Sequence, residues 1–374
     1  MRFGWLPTYL REFSKRHARR VSEKTQLILC LADHFEPNNG NAPVHLRRER
    51  VNSWAENYPR LFGNFRDSSG RAPRHSFFYP MESYERDLVA TIAQLCRDGY
   101  GEVEIHLHHD KDNSETFRSE MIRFREELIR EHHLLSRHRN TGAPAYAFVH
   151  GNWALANSLP SGRWCGVDDE LSILRDTGCY ADFTLPAYPS LAQTKKINSI
   201  YYVEERNLSR RKGHNWGVAA GATPLSPRGL MLIQGPLILN WKGRKWGLVP
   251  RIENGCLQSN QLASGDRLSL WLKARVQVPT RPDWFFVKLH MHGASEDGQK
   301  ALLGEGMVRF HQDLASMKER DSNFQFHYVT AREMYNLVRA AEAGWEGEVQ
   351  GALDFELISN LAVSPSQRLN SSTI

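Results

Sequence analysis

Short apolar runs alternate with segments of helical periodicity along most of the chain, and this alternation constrains the fold more than any other feature. The runs have the length of β-strands, and the segments between them repeat apolar residues three or four positions apart. Such alternation is typical of parallel strands joined by crossover helices, which is an α/β architecture. The predicted strands are residues 26–32, 76–79, 103–107, 145–149, 180–185, 197–203, 231–234, 285–290 and 326–329.

Helices are predicted between these strands. Glycines stop two of them, and Thr330 with Glu333 forms a capping-box pattern at the start of the last one. The predicted helices are residues 83–97, 114–133, 168–175 and 330–343. No repeat or linker divides the middle of the chain, so we expect one domain over residues 25–345.

The third predicted strand has an unusual composition, because it runs into His-Leu-His-His-Asp-Lys-Asp at residues 106–112. Successive side chains of a strand point to opposite faces, so Glu104, His106 and His108 share one face. An imidazole-rich face that ends in acids is typical of a metal site at the mouth of a barrel. A solvated histidine-rich loop is the alternative.

Other strands end in similar residues, which favours a shared site over isolated structural histidines. In a closed parallel barrel the active-site groups lie at the carboxyl ends of the strands. Alternation also places His290 and His292 on one face of the late strand. The residues at these ends are Asp33, His34, Glu36, His150, Asn152, Asp182, His290 and His292.

Mixed imidazole and carboxylate ligands suit one divalent metal ion, with zinc as the first expectation and iron, cobalt or manganese as alternatives. Such an ion lowers the pKa of bound water and polarises a carbonyl, and a further histidine can protonate the leaving group. This chemistry indicates amide or ester hydrolysis. The sequence contains no Walker loop, dinucleotide-binding glycine fingerprint or H-E-x-x-H motif.

The order of these motifs resembles the polysaccharide deacetylase family, whose members have a NodB-type (β/α)7 barrel. Residues 102–106 resemble the strand that leads into the family's first metal histidine, and residues 286–290 resemble the late strand that carries its catalytic acid. The chain is also similar to uncharacterised deacetylase-like proteins found among surface-polysaccharide genes. The resemblance implies a single TIM-like barrel, a metal ligand at His106, an acid at His290, and removal of an N-acyl group from an amino sugar.

The chain departs from the family where its paired aspartates would stand, because Ala32-Asp33-His34 occupies that place. One alignment makes Asp33 the metal ligand and leaves His34, Glu36 or Asp110 as substitutes for the base. The other makes Asp33 the base and His34 the ligand. The second histidine motif also has two registers. Its ligands are either His106 with Asp110 or His108 with Asp112.

Substrate contacts are expected from residues beside these ligands. His150, Asn152, Asp182 and His292 would line the sugar site, and Trp153 would stack on a sugar ring. Cys165 and Cys179 are not spaced as metal ligands and are interpreted as structural.

Two other functions remain open. A chain without a base would be a non-catalytic carbohydrate-binding or assembly protein on the same barrel. A glycoside hydrolase would use two carboxylates from Asp33, Glu36 and Asp182.

The two ends of the chain and its cysteines indicate which partners the protein has and where in the cell it acts. Residues 1–24 form a basic amphipathic segment, which either packs on the domain or makes peripheral contact with an anionic membrane. Residues 346–374 lose periodicity and are predicted to be a partly disordered tail. The five scattered cysteines and the absence of a signal sequence indicate a cytoplasmic protein, and the membrane segment would place it at the inner face. We therefore expect a carbohydrate substrate, nucleotide- or lipid-linked, from surface polysaccharide biosynthesis, and no nucleic acid.

Overall fold

The chain forms a large, mostly parallel sheet with helices packed on it, as seen in a computed structural model that describes residues 3–18, 24–222 and 229–361. The α/β architecture expected from the alternation is confirmed. The strands are β1 Thr25–His34, β2 His75–Pro80, β3 Gly101–Leu107, β4 Ser136–His138, β5 Pro144–His150, β6 Cys179–Asp182, β7 Ile200–Tyr202, β8 Val218–Ala219, β9 Met231–Ile233, β10 Ile238–Lys245, β11 Val249–Glu253, β12 Trp284–Met291, β13 Phe324–Val329 and β14 Leu357–Ser359.

Helix ends follow the sequence signals. Asn113 accepts hydrogen bonds from the backbone N–H groups of Glu115 and Thr116, and both bonds of the capping box at Thr330 are present. Five helices, α2, α6, α7, α8 and α9, were not predicted from the sequence. The helices are α1 Leu6–Ala18, α2 Val44–Phe62, α3 Arg86–Leu95, α4 Ser114–His132, α5 Glu170–Asp176, α6 Glu205–Leu208, α7 Gly265–Lys273, α8 Glu296–Leu302, α9 Glu305–Arg320 and α10 Ala331–Glu342.

The strand order is β12-β1-β2-β3-β5-β6-β9-β7-β8, and β13 pairs with the first half of β1. Strand pairs are parallel as far as β9, whereas β7 runs antiparallel to both β9 and β8. The predicted closed (β/α)7 barrel is not confirmed, because no strand pairing within the described residues joins the two ends of the sheet. One edge of β9 pairs with β6 and the other with the antiparallel β7, which leaves no edge for β12.

The two faces of the sheet have different partners. Leu27, Leu29 and Leu31 pack with apolar residues of α2, α3, α4, α5, α7 and α9, and this side is called the helix face. Ile28, Cys30 and Ala32 alternate with them and pack with residues of α10. The second side is called the α10 face. The alternation along β1 therefore decides which residues of each strand meet the outer helices.

Both ends of the chain pack on the domain. Trp5 and Tyr9 of α1 are buried against Ile197, Leu237 and Ile238, and residues 19–23 lie outside the described residues. The fold continues past the predicted boundary at residue 345, because β14 pairs with β4. The rest of the predicted tail, residues 362–374, lies outside the described residues. Among the helices described, none has the length and apolar character needed to cross a membrane.

Candidate metal centre

Three parallel strands bring histidines to one edge of the sheet. The last residue of β1, His34, lies on the α10 face together with Ala32, and His106 lies on the same face near the end of β3. Strand β12 runs beside β1 with Met291 opposite Asp33, so His292 emerges next to His34. The carboxyl ends of these strands therefore converge, as the sequence indicated.

A carboxylate lies at the centre of these histidines. The Oε1 atom of Glu36 lies 3.1 Å from Nε2 of His106, 3.5 Å from Nε2 of His108 and 3.8 Å from Nε2 of His292. The ring of His34 lies 4.9 Å from that of His106 and 5.0 Å from that of His292, between centroids. These five residues are called the Glu36 cluster. Its histidines come from the polar strand ends that the sequence singled out.

The tautomers of two rings are set by acceptors outside the cluster. Nδ1 of His106 lies 3.0 Å from the carbonyl oxygen of Val149, and Nδ1 of His108 lies 2.6 Å from Oε1 of Glu82. Both partners are acceptors, so each Nδ1 carries a proton and donates it. A neutral ring then directs the lone pair of its Nε2 towards Glu36. Metal-binding histidines are oriented by the same kind of outer hydrogen bond.

The electrostatics favour a single negative charge on Glu36. Burial alone would raise the pKa of Glu36, but its hydrogen bond to His106 and the nearby histidines lower that pKa to about 2. Burial, followed by repulsion from His106 and His292, holds the pKa of His34 well below its usual value. A buried carboxylate among imidazole rings is a donor set for a divalent cation.

The residues fit a divalent metal ion. His34, Glu36 and His106 each offer one ligand atom, and these atoms all lie within 4.8 Å of one another. Within the described structure, neither ring nitrogen of His34 has a hydrogen-bond partner, although the side chain is buried. Buried polar atoms are normally paired, so a ligand role would satisfy this ring.

One side of the Glu36 cluster is open. The side chains of His108 and His292 are 31% and 32% exposed, whereas His34 and His106 are buried. The Trp153 ring lies 5.8 Å from that of His34 and 5.9 Å from that of His292. The cluster is therefore accessible from the side of His108 and His292, next to the half-buried Trp153.

The structure does not bring Asp33 to the Glu36 cluster. Alternation places its side chain on the helix face, where Oδ2 lies 2.8 Å from Nε2 of the buried His75. Its Oδ1 accepts a hydrogen bond from the backbone N–H of Gly293. In this position Asp33 holds the segment that follows His292, so its placement suits a positioning residue.

Two other predicted residues occupy different surroundings. Asp110 is exposed and accepts a hydrogen bond from the backbone N–H of Trp164. His290 lies on the same face as His292 but is buried. Its backbone pairs with Gly255 and Leu257.

The predicted substrate residues are divided between the two faces. Trp153 and His292 border the Glu36 cluster, and the half-buried Asn152 donates its backbone N–H to Nδ1 of His150. His150 is buried on the helix face, because it follows Tyr146 and Phe148 in the alternation of β5. Asp182 is buried and accepts hydrogen bonds from Thr184, and burial raises its pKa to about 7.

Sequence reasoning missed Glu82, the acceptor that orients His108. Glu82 follows β2 in a short 3-10 helix, Met81–Ser83, at the same edge of the sheet as the histidines. The signal was present, because the strand at residues 76–79 was predicted and a carboxylate three residues after its end reaches this edge. It was overlooked because no histidine stands beside it.

Comparison with known proteins gives a distant similarity. No protein-family model matches the chain, and no curated protein matches it. Among solved structures, a putative polysaccharide deacetylase from Mycobacterium smegmatis is similar over 86% of this chain and 93% of its own, with 11% sequence identity and a TM-score of 0.43. A similarity this low does not show family membership.

Proposed function

We propose that this protein is a metal-dependent hydrolase that removes an N-acyl group, or cleaves a related amide, from an amino sugar. The observation that carries the proposal is the convergence of three Nε2 atoms, from His106, His108 and His292, on Oε1 of Glu36. Two of these rings have their other nitrogen fixed by an acceptor. Preset tautomers around a carboxylate suit a metal ion better than a purely structural network.

His34, Glu36 and His106 would hold the ion. Zinc suits this mixture of imidazole and carboxylate, with iron, cobalt and manganese as alternatives. A divalent ion supplies a Lewis acid for the acyl carbonyl and lowers the pKa of water at the site. The proposed ligands His34 and His106 are buried and therefore shielded from bulk solvent, whereas His108 and His292 remain accessible.

His108 and Glu82 would act together as the general base. Burial lowers the pKa of His108, but its hydrogen bond to Glu82 and the charge of Glu36 outweigh burial and raise it. A histidine held by a carboxylate at 2.6 Å keeps its Nε2 beside Glu36, 3.5 Å from Oε1, and the partly exposed ring can accept a proton there from water.

His292 would return a proton to the leaving amine. Its side chain is 32% exposed and its Nε2 lies 3.8 Å from Glu36, so it borders both the cluster and the open side. His290, the acid that the family resemblance implies, is buried two residues earlier on the same face. His292 therefore stands closer to the position an acid needs.

A carbohydrate carrying phosphate fits the surroundings of the open side. Trp153 offers an aromatic edge for a sugar ring. In the same loop, the exposed Arg163 stacks over Trp164 at 5.3 Å from its ring centroid. An exposed cation and an exposed aromatic ring in the loop that also contains Trp153 support a nucleotide- or lipid-linked precursor of surface polysaccharide as substrate.

Peripheral membrane contact is part of the same proposal. Helix α1 packs beside the β10–β11 hairpin, where the Tyr9 hydroxyl accepts a hydrogen bond from the backbone N–H of Leu239, and Leu10 and Arg11 of this helix are exposed. The hairpin exposes Trp246 and Leu248 at 79% and 80%. Aromatic and apolar residues among basic ones suit an anionic lipid surface.

A non-catalytic carbohydrate-binding protein is the second candidate. Asp33 is engaged by His75 and Gly293, so the carboxylate that the family would use as base or ligand is absent from the Glu36 cluster. A site that binds metal and sugar without turnover would have this composition. The glycoside hydrolase has less support, because both Asp33 and Asp182 are buried and hydrogen-bonded.

The test measures metal and turnover in the same preparations. Wild-type protein, His106→Ala and the exposed control His45→Ala are loaded with zinc, freed of excess ion and assayed for bound metal. Acetate release is then followed with free and nucleotide-linked N-acetyl amino sugars. We expect His106→Ala to lose one equivalent of metal and all turnover, with His45→Ala unchanged. Metal binding without acetate release would favour the binding protein, and equal metal in all three proteins would reject the site.

A further inference from the structure

A second group of potential ligands lies on the helix face, separate from the Glu36 cluster. His109, His150, Cys165 and Glu170 each offer one ligand atom, and these atoms all lie within 4.8 Å of one another. The four residues are called the Glu170 cluster. All four side chains are more than nine-tenths buried, so the group is shielded from solvent.

The atoms of the Glu170 cluster converge on its carboxylate. Oε1 of Glu170 lies 3.1 Å from Nε2 of His109 and 3.7 Å from Nε2 of His150, and Sγ of Cys165 lies 3.6 Å from Oε2. In the described part of the chain, Nε2 of His150 has no hydrogen-bond partner, although this side chain is completely buried. An unpaired polar atom directed at a buried carboxylate indicates a missing ligand.

Outer contacts hold these side chains in place. Nδ1 of His109 lies 3.5 Å from Oδ2 of Asp112, and the His109 ring stacks on Phe117 with 5.0 Å between centroids. Oε2 of Glu170 accepts a hydrogen bond from the backbone N–H of Ala156. A carboxylate behind a histidine is the usual support of a metal ligand, so the cluster is already organised.

We propose that the Glu170 cluster binds a structural zinc ion through two imidazoles, one thiolate and one carboxylate. Four protein ligands complete a tetrahedral shell and leave no open position, which distinguishes a structural ion from a catalytic one. A thiolate beside imidazoles favours zinc over magnesium, calcium or manganese. The proposal goes beyond the hydrolase assignment and does not depend on it.

Binding changes the protonation of the ligands. The Cys165 thiol loses its proton to solvent, and each imidazole binds in the neutral form. His150 now accepts at Nδ1 from the backbone N–H of Asn152, at 3.2 Å. Coordination through Nε2 requires the ring proton on Nδ1, so this long contact opens when the ion binds.

The ion would fix the loop that borders the proposed active site. Residues 151–169 join β5 to α5 and contain no helix or strand. His150 precedes this loop, Cys165 lies within it and Glu170 follows it, so the ion would join its two ends. Trp153 belongs to this loop, and His108 of the Glu36 cluster directly precedes His109. Long loops without secondary structure are costly to order, and a metal clip offsets that cost.

The sequence interpretation of Cys165 is revised by this proposal. Cys165 was interpreted as structural because no second cysteine or histidine stands at ligand spacing around it. The four residues span positions 109–170 and are brought together only by the pairing of β3 with β5 and by the return of the chain into α5. Spacing rules for zinc sites apply to short hairpin motifs and do not detect such a set.

Cobalt spectroscopy tests the proposal, because the Glu170 cluster contains a sulfur ligand and the Glu36 cluster contains none. A cobalt–thiolate site produces a charge-transfer band in the near ultraviolet, which a site of imidazoles and carboxylate lacks. We expect this band in the wild type, in His106→Ala and in Cys179→Ser, which removes a buried thiol outside the cluster. Cys165→Ser should lose the band together with one of about two equivalents of bound metal.

X-ray absorption at the zinc edge provides a measurement that does not require Cys165→Ser to fold. Zinc-loaded His106→Ala protein should show one sulfur neighbour at about 2.3 Å from the metal. A spectrum with only nitrogen and oxygen neighbours, or a cobalt band that persists in folded Cys165→Ser, would overturn the proposal. Failure of the hydrolase assignment would appear as absent turnover with the sulfur signal intact, so the two outcomes are distinguishable.

Discussion

His106 donates a hydrogen bond from Nδ1 to the carbonyl oxygen of Val149 at 3.0 Å, and this single contact decides what its other nitrogen can do. Because a carbonyl only accepts, the proton on Nδ1 leaves Nε2 with a lone pair whenever the ring is neutral, and Nε2 faces Glu36 at 3.1 Å. A lone pair beside a carboxylate is unfavourable unless the ring is protonated or a cation lies between them. The proposed metal site resolves this conflict.

The first prediction separates Glu36 from Asp33. Glu36→Gln removes the central charge of the Glu36 cluster, and we expect metal affinity to fall by about 100-fold, because an anionic ligand becomes a neutral amide that binds a divalent ion more weakly. Asp33→Asn should retain the metal and lose about 1–3 kcal/mol of unfolding free energy, because it weakens buried hydrogen bonds to His75 and Gly293. Calorimetric zinc titration and urea unfolding measure both quantities. Metal loss in Asp33→Asn with retention in Glu36→Gln would restore Asp33 as the ligand.

Asp33 and His34 show which features of the site could be predicted from the sequence and which could not. The strands around Asp33 and His34 were predicted, and their convergence followed from parallel pairing. The choice between the two side chains was not determined, because a shift of one residue along a strand exchanges its two faces. The sequence carries no local signal for that register. It is set by the packing of Leu27, Leu29 and Leu31 under the outer helices.

Contacts between residues that are far apart in the chain could also not be predicted from the sequence. Glu36 was considered as a base, whereas it lies at the centre of four histidines from three separate segments. The closed barrel was implied by the family resemblance, but strand β7 pairs antiparallel with β9 and occupies its edge. Local periodicity does not predict such an antiparallel addition, because strand direction depends on how the intervening loops return.

The second prediction concerns the carboxylate behind His108. Glu82→Gln retains the size of the side chain but removes the charge that raises the pKa of His108. If His108 is the base, the acidic limb of the pH–kcat profile should move to lower pH, and kcat should fall by about 10–100-fold. Metal content should change little, in contrast with Glu36→Gln. An unchanged profile would exclude the His108–Glu82 pair as the base.

The third prediction concerns how the buried carboxyl group of Glu104 makes the stability of the fold depend on pH. Burial raises the pKa of Glu104 to about 8, although the Tyr180 hydroxyl and the backbone N–H of Ala147 donate to it. The folded state therefore binds more protons than the unfolded state between pH about 4.5 and 8, and stability falls as pH rises through this window. Glu104→Gln mimics the protonated acid and should flatten that slope.

Urea unfolding at a series of pH values measures this effect. The control is Glu56→Gln, which changes an exposed carboxylate on α2 and should leave the slope as it is in the wild type. Parallel slopes in wild type and Glu104→Gln would show that Glu104 ionises normally in the fold.

The fourth prediction tests the link between Asp33 and the Glu36 cluster. A Cβ atom at Gly293 would lie 2.0 Å from Oδ2 of Asp33 and 2.8 Å from the Trp54 ring. Gly293→Ala should therefore displace the segment after His292, destabilise the fold by about 1–3 kcal/mol and lower kcat. Gly265→Ala is the matched control, since its nearest atom would be 4.0 Å away. Equal stability and turnover in the two variants would refute a positioning role for this contact.

The fifth prediction concerns the surface formed by α1 and the β10–β11 hairpin. Trp246 and Leu248 are 79% and 80% exposed, and the Nζ atom of Lys245 lies 4.3 Å from the ring centroid of Trp246. Insertion of these apolar side chains into an interface would add to the attraction between basic residues and anionic lipid. Binding to vesicles containing phosphatidylglycerol should therefore exceed binding to phosphatidylcholine vesicles and weaken with salt.

The variant Trp246→Ala with Leu248→Ala should reduce vesicle binding by about tenfold or more, because each buried apolar side chain contributes about 1.5–3 kcal/mol. Trp216→Ala is the control, since Trp216 is also exposed but stacks with Arg210. Co-sedimentation with vesicles measures the effect, and sedimentation velocity without lipid reports self-association. If the double variant abolishes a dimer while vesicle binding is negligible in every protein, the hairpin is an interface between two copies of the chain. Its exposed apolar residues would then be covered by protein and not by lipid.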